Sequence, residues 1–206
     1  MAYRTRRSPL SLTLAAVAVF IATLFFWLSA FSTPFIKHIH YIHTRENDVR
    51  FGNFGWCAEG ALTGLIQGQR CYQHVGYEFG RWIPHKSATG ALILVALTAA
   101  FGTFAFFSLL HSAADLRSGA ASFFLTIFTS LLATISFLLV VIIFGVAHHR
   151  FDDDSLRPRY GAAFVMVILG WLLYLAAIPL VVIGWFRERH YRNTNITTHT
   201  TTAVRA

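Results

Sequence analysis

The chain has 206 residues, of which 55% are hydrophobic, 16% aromatic and only 13% charged, with a formal net charge of +8. Soluble domains carry about 25% charged residues, so the composition excludes an ordinary water-soluble globule. The basic balance does not point to nucleic acid, because no Lys/Arg stripe with interleaved aromatics lies on a soluble face. It suits helix insertion and attraction to anionic membrane lipid.

Arg4, Arg6 and Arg7 precede an uncharged apolar run, Leu10–Phe31, bracketed by Pro9 and Pro34. That run is longer than the ~7–15-residue core of a signal peptide, and Leu28-Ser29-Ala30 is a poor cleavage site, so an uncleaved helix is expected. Three further uncharged runs cover residues 89–110, 120–146 and 161–186. Each reaches the ~20 residues that a helix needs to cross ~30 Å of hydrocarbon. The expected fold is a single membrane domain over residues 1–206, an all-α four-transmembrane-helix bundle. The leading arginines place the N-terminus in the cytosol. Residues 32–87 and 147–160 then form outer loops, and the tail 187–206, with Arg187, Arg189, Arg192 and Arg205, lies inside. The glycosylation sequon Asn195-Ile196-Thr197 would stay bare on that side.

No span contains Asp, Glu, Lys or Arg, which argues against a pump, a coupled transporter or an intramembrane hydrolase. Pro179 should kink the fourth span. Trp27, Trp82 and Trp185 fall near span ends, at the headgroup level, whereas Trp171 is mid-span and should pack inside. Small residues (Gly90, Ala96, Ala99, Ala100 and Gly102 on the second span; Gly161, Ala162, Ala163 and Gly170 on the fourth) permit close helix approach. Ser29, Ser108 and Ser136 read as packing or backbone-bonded residues. No nucleophile–base order and no phosphate-binding loop is present, so neither an enzyme nor a cofactor is expected.

Residues 32–87 are too many for a connector. Strand-like stretches occur at Phe35–His43, Val49–Cys57 and Gln73–Phe79; within the second, Val49, Phe51 and Cys57 share one parity and Phe54 and Trp56 the other. A small antiparallel sheet on the outer end of the bundle is expected, too small to stand alone. Cys57 and Cys71 share this outer, oxidising loop, and a disulfide between them is expected. Closing about 15 residues, it would add about 3 kcal/mol. Gly60, Gly64 and Gly68 between them read as a turn region.

His38, His40 and His43 form a candidate pH-responsive cluster, with His74, His85, His148 and His149 on the same side. Histidine ordinarily titrates near pH ~6.5, so this face would gain charge on acidification; an ordinary wet loop is the other reading. A metal site lacks a fourth ligand. Asp152-Asp153-Asp154 beside Arg150, Arg157 and Arg159 reads as a solvated, self-compensating loop, short of the ligands that calcium needs.

Gly55-Trp56-Cys57, with Cys71 downstream, on a four-span frame with a large first outer loop, resembles the claudin-like superfamily. The absence of a gap between Trp56 and Cys57, and the Val75-Gly76-Tyr77 stretch, are similar to its fungal branch, the SUR/PalI family; animal claudins place two residues between the tryptophan and the first cysteine. The resemblance implies a bundle carrying a disulfide-stapled extracellular sheet, with Gly55, Trp56, Cys57, Cys71, Gly76 and Tyr77 as its signature. It also implies a non-enzymatic plasma-membrane role: assisting localisation or signalling of a seven-span ambient-pH sensor. The alternative role is organising cortical membrane domains or cell-wall processes by self-association.

Overall fold

The computed structural model describes residues 10–45, 48–58, 71–79, 83, 85–115, 119–154 and 156–203, with backbone alone for 113–115, 119 and 187–203. Arg4, Arg6, Arg7, Pro9, Gly60, Gly64, Gly68, Trp82 and Arg205 lie outside the described residues, as do the side chains of Arg187, Arg189, Arg192 and Asn195.

Four long helices, α1 (Leu10–Ala30), α3 (Ile93–Asp115), α4 (Gly119–Asp153) and α5 (Ala162–Ala203), carry the architecture; the short α2 (Lys86–Gly90) runs into α3 through a turn at Ala91-Leu92. The stretches Leu10–Ala30, Lys86–Ser112, Ala120–Asp153 and Ala162–Phe186 are long and apolar enough to cross a membrane. Helix α1 packs against α3 and α5, and α4 packs against the same two, so the four form a closed ring. Their outward faces expose Phe20, Phe104, Phe124 and Leu131, as expected of helices that are apolar all round and meet lipid.

Inside the ring, small buried residues (Ala15, Val19 and Ala22 of α1, Ala99 of α3, Ala133 of α4 and Ala177 of α5) alternate with a few large ones, Phe26, Leu109, Phe144 and Tyr174. With lipid outside, apolar burial between helices gains little, and close packing plus hydrogen bonds must hold the ring. Thr23 donates to the Val19 carbonyl at 2.7 Å, so its oxygen accepts from the Tyr174 hydroxyl of α5 at 2.9 Å. Thr98 repeats the device, donating to Leu94 O at 2.7 Å and pairing with Ser136 of α4 at 2.9 Å. Trp27 donates to Thr103 at 3.1 Å and Trp171 to Thr134 at 3.2 Å, while Ser108 pairs with Ser122 at 2.9 Å. Ser29 donates to the Ala163 carbonyl at 3.2 Å. Such bonds contribute about 0.6 kcal/mol each, and there is at least one across every helix–helix seam.

Five short strands form one antiparallel sheet at one end of the ring: β1 (Ile42–Thr44), β2 (Val49–Phe51), β3 (Gly55–Ala58), β4 (Cys71–Gln73) and β5 (Pro158–Tyr160), in the order β4-β3-β2-β1-β5. Three sequence expectations are corrected here. Val49–Cys57 is two strands: the chain turns at Gly52-Asn53-Phe54, where the Gly52 N–H donates to Gly55 O at 2.8 Å. The turn resets parity, so Val49 and Phe51 share a face with Ala58 and Trp56, and Cys57 pairs with Arg50 on the opposite face. Of Phe35–His43 only Ile42 and His43 enter a strand, and the downstream strand starts at Cys71, ahead of the expected Gln73–Phe79. Finally, residues 147–160 are for the most part helix and strand and not a loop, although Asp152, Asp153, Arg157 and Arg159 are exposed as expected. Helix α4 continues through Asp153, Phe151 is fully buried, and Pro158–Tyr160 is the edge strand beside β1.

A Cβ on Gly102 would land on the Tyr174 hydroxyl and lie 2.6 Å from Thr23 Oγ1. We expect Gly102→Ala to break the Thr23–Tyr174 bond and cost about 1–3 kcal/mol, the usual range for overpacking. Thermal unfolding in detergent checks this; an unchanged midpoint would mean that the α1–α3–α5 seam is looser than described.

Candidate functional site

The candidate site is the sheet and the layer beneath it. Strands of three or four residues cannot hold a sheet together in water. What they lack is supplied by an aromatic layer. Phe51 of β2, fully buried, lies 5.0 Å from Phe79, 5.4 Å from Phe151 of α4 and 6.5 Å from Tyr77 between ring centroids. Trp56 of β3 sits 5.2 Å from Phe79 and 6.1 Å from Tyr72. Tyr41 stacks on Phe144 of α4 at 4.6 Å. Such pairs contribute about 0.5–1.5 kcal/mol each beyond area burial.

The six signature residues lie in the sheet or in the segment that joins it to α2, each for a physical reason. Gly55 has φ +151°, and a Cβ there would strike the Tyr72 carbonyl of the next strand, so only glycine lets β3 approach β4. Trp56 fills the layer. Cys57 and Cys71 face each other across the β3–β4 ladder and are disulfide-bonded. Gly76, with φ +74°, turns the chain where a Cβ would meet Lys86 O at 2.8 Å. The Tyr77 hydroxyl donates to Gly52 O at 2.8 Å, and its carbonyl accepts from Thr89 of α2, joining the β2–β3 turn to the helix. Burial pushes the Tyr41 and Tyr77 hydroxyl pKa values up, so both remain neutral donors.

The histidines divide. His38 is exposed. The His40 and His43 rings lie 5.6 Å apart. His40 is half-buried at the start of α5, where its carbonyl accepts from the Ala163 N–H at 3.1 Å and Gly161 makes room for its ring. Burial lowers the His40 pKa, and His43 and Arg50 reinforce this; the His38 backbone and Asp48 act in the opposite direction and do not offset it. His43 Nε2 sits 2.6 Å from Asp48 Oδ1, which also meets Arg50 at 3.4 Å. These contacts, with the His43 hydrogen bond the largest, hold the Asp48 carboxyl below the usual carboxylate range. Asp48 and Arg50 were missed by sequence reasoning. Asp48 sits in the β1–β2 turn at φ +46°, a conformation that Asp tolerates, and a turn aspartate five residues after a histidine was the available signal.

Elsewhere His148 stacks on Tyr160 at 4.5 Å, His74 Nδ1 meets the Val75 carbonyl at 2.6 Å, and His149 meets Asp153 at 3.1 Å. Among the described residues, no three His, Cys, Asp or Glu side chains are grouped to hold a metal ion. No protein-family model matches the chain, and no curated protein matches it.

The folded His40 pKa lies below its ordinary 6.5. The unfolded chain therefore binds the proton more readily, and stability held above pH ~6.5 is lost as pH falls toward the folded-state value. We expect the unfolding midpoint to drop between pH 7.5 and pH 5, and to drop less in His40→Gln. Parallel slopes for the two proteins would show that His40 does not carry this dependence.

Proposed function

We propose that the chain is a non-enzymatic, claudin-like membrane protein of the SUR/PalI type. It resides in the plasma membrane with both termini cytosolic and assists the localisation or signalling of an ambient-pH sensor complex. The observation that carries this reading is the Gly55-Trp56-Cys57 strand, bonded to Cys71 and seated by aromatic packing on one end of a four-helix ring. Runs 10–31, 89–110, 120–146 and 161–186, which hold no Asp, Glu, Lys or Arg, leave surfaces and not reactive groups as the working parts. A rigid sheet on lipid-facing helices is suited to holding another membrane protein. The His40–His43–Asp48 group on that sheet supports the link to ambient pH.

Purification from native membranes in mild detergent, with crosslinking through Lys37 and Lys86 at the sheet end, tests the reading. We expect a seven-span protein at fixed stoichiometry, crosslinked to those lysines. Homo-oligomers without such a partner would replace this reading with the self-associating organiser, and a monomer without partners would contradict both.

A further inference from the structure

The strand register lines up one row of side chains across all five strands. Arg159 of β5 pairs with His43 of β1, His43 with Arg50 of β2, Arg50 with Cys57 of β3, and Cys57 with Cys71 of β4. All five lie on the face opposite Phe51 and Trp56, since side chains alternate along each strand. Directly opposed side chains on one face stand about 4.5–5.5 Å apart, and like charges so placed repel. The fold places one arginine on each side of His43. Asp48 relieves one half of the row, meeting His43 at 2.6 Å and Arg50 at 3.4 Å. The other half has no such relief: Arg159 is exposed, and no described carboxylate pairs with it. The last turn of α4 supplies Asp153, which pairs with His149, and exposed Asp152. Lys37 borders the row, its carbonyl accepting from Arg50 at 3.5 Å, and Arg45 and Arg157 are exposed at the ends of β1 and β5.

We propose that the Arg159–His43–Arg50 row is a docking surface for a carboxylate-rich peptide segment of a partner protein. The planar Arg159 fork presents paired donors that match a carboxylate. The row points away from the aromatic layer and the helices below it, and therefore away from the bilayer that the helices span, which disfavours the headgroups of the chain's own membrane. The disulfide at the far end of the row holds β3 against β4. This inference rests on the assembly-protein reading and names the chemistry of its contact.

Fluorescence anisotropy tests it directly, using the full chain in detergent micelles and a labelled ten-residue peptide of alternating Asp/Glu and Gly. We expect saturable binding that weakens with added salt, and about tenfold weaker binding by Arg159→Gln, the loss of one charge-assisted contact. Arg159→Lys should recover part of it. Arg187→Gln with Arg189→Gln should bind as wild type, which separates the row from the basic tail. A circular-dichroism spectrum and a thermal midpoint matching wild type confirm that each variant is folded. Equal affinity in wild type and Arg159→Gln overturns the proposal. So does preference for phosphatidylserine vesicles or polygalacturonate over the peptide. Any of these results would leave a crosslinked seven-span partner standing, so the two readings fail separately.

Discussion

The structure depends on one constraint: a sheet of three- and four-residue strands must find its stability outside itself. It finds it in the aromatic layer where Phe51 and Trp56 meet Phe79, Tyr77 and Phe151. Because Phe151 belongs to α4, the layer makes the end of the helical ring the floor of the sheet. Tyr41 on Phe144 extends the contact toward α5, whose first turn is met by the His40 and Tyr41 carbonyls. Sheet and ring are one folding unit, and a partner touching the sheet touches something rigidly tied to the spans.

The disulfide fixes what the aromatic layer positions. Cys57 and Cys71 are separated by 14 residues, and closing such a loop contributes about 3 kcal/mol in the chain-entropy account. Its second effect is on register. Slipping a strand by one residue exchanges its two faces, so a bond across β3–β4 that forbids slippage there also keeps Trp56 opposite Tyr72 in the layer. The same alternation that buries the aromatics therefore assembles the charged row.

Much of this was legible in the sequence, and the failures have causes. The four spans could be read because length and missing charge suffice in hydrocarbon, where backbone groups must be satisfied internally. The disulfide could be read because both cysteines share one polar loop. Residues 147–160 misled because a run of charges reads as loop in a linear sequence, whereas Asp152, Asp153, Arg157 and Arg159 are exposed on a helix end and on or beside an edge strand. In the fold Phe151 anchors the last turn of α4, and β5 takes its place from β1, a pairing across more than a hundred residues that no local pattern records. The strand parity failed at Gly52-Asn53-Phe54, where a tight turn reads from composition like a glycine-broken strand. Gly102 was read as part of a small-residue face, but its particular purpose, room for the Tyr174 hydroxyl, requires knowing which helix lies opposite.

The central claim is that the aromatic layer, through Phe51, holds the sheet on the ring. Hydrogen exchange on the protein in lipid nanodiscs measures it most directly, comparing wild type with Phe51→Ala. The account predicts that the amides of β1, β2 and β3 are protected in wild type and lose protection together in the variant, while those of α1, α3, α4 and α5 within the spans stay protected. A sheet that remains protected without the Phe51 ring, or one already unprotected in wild type, would contradict it.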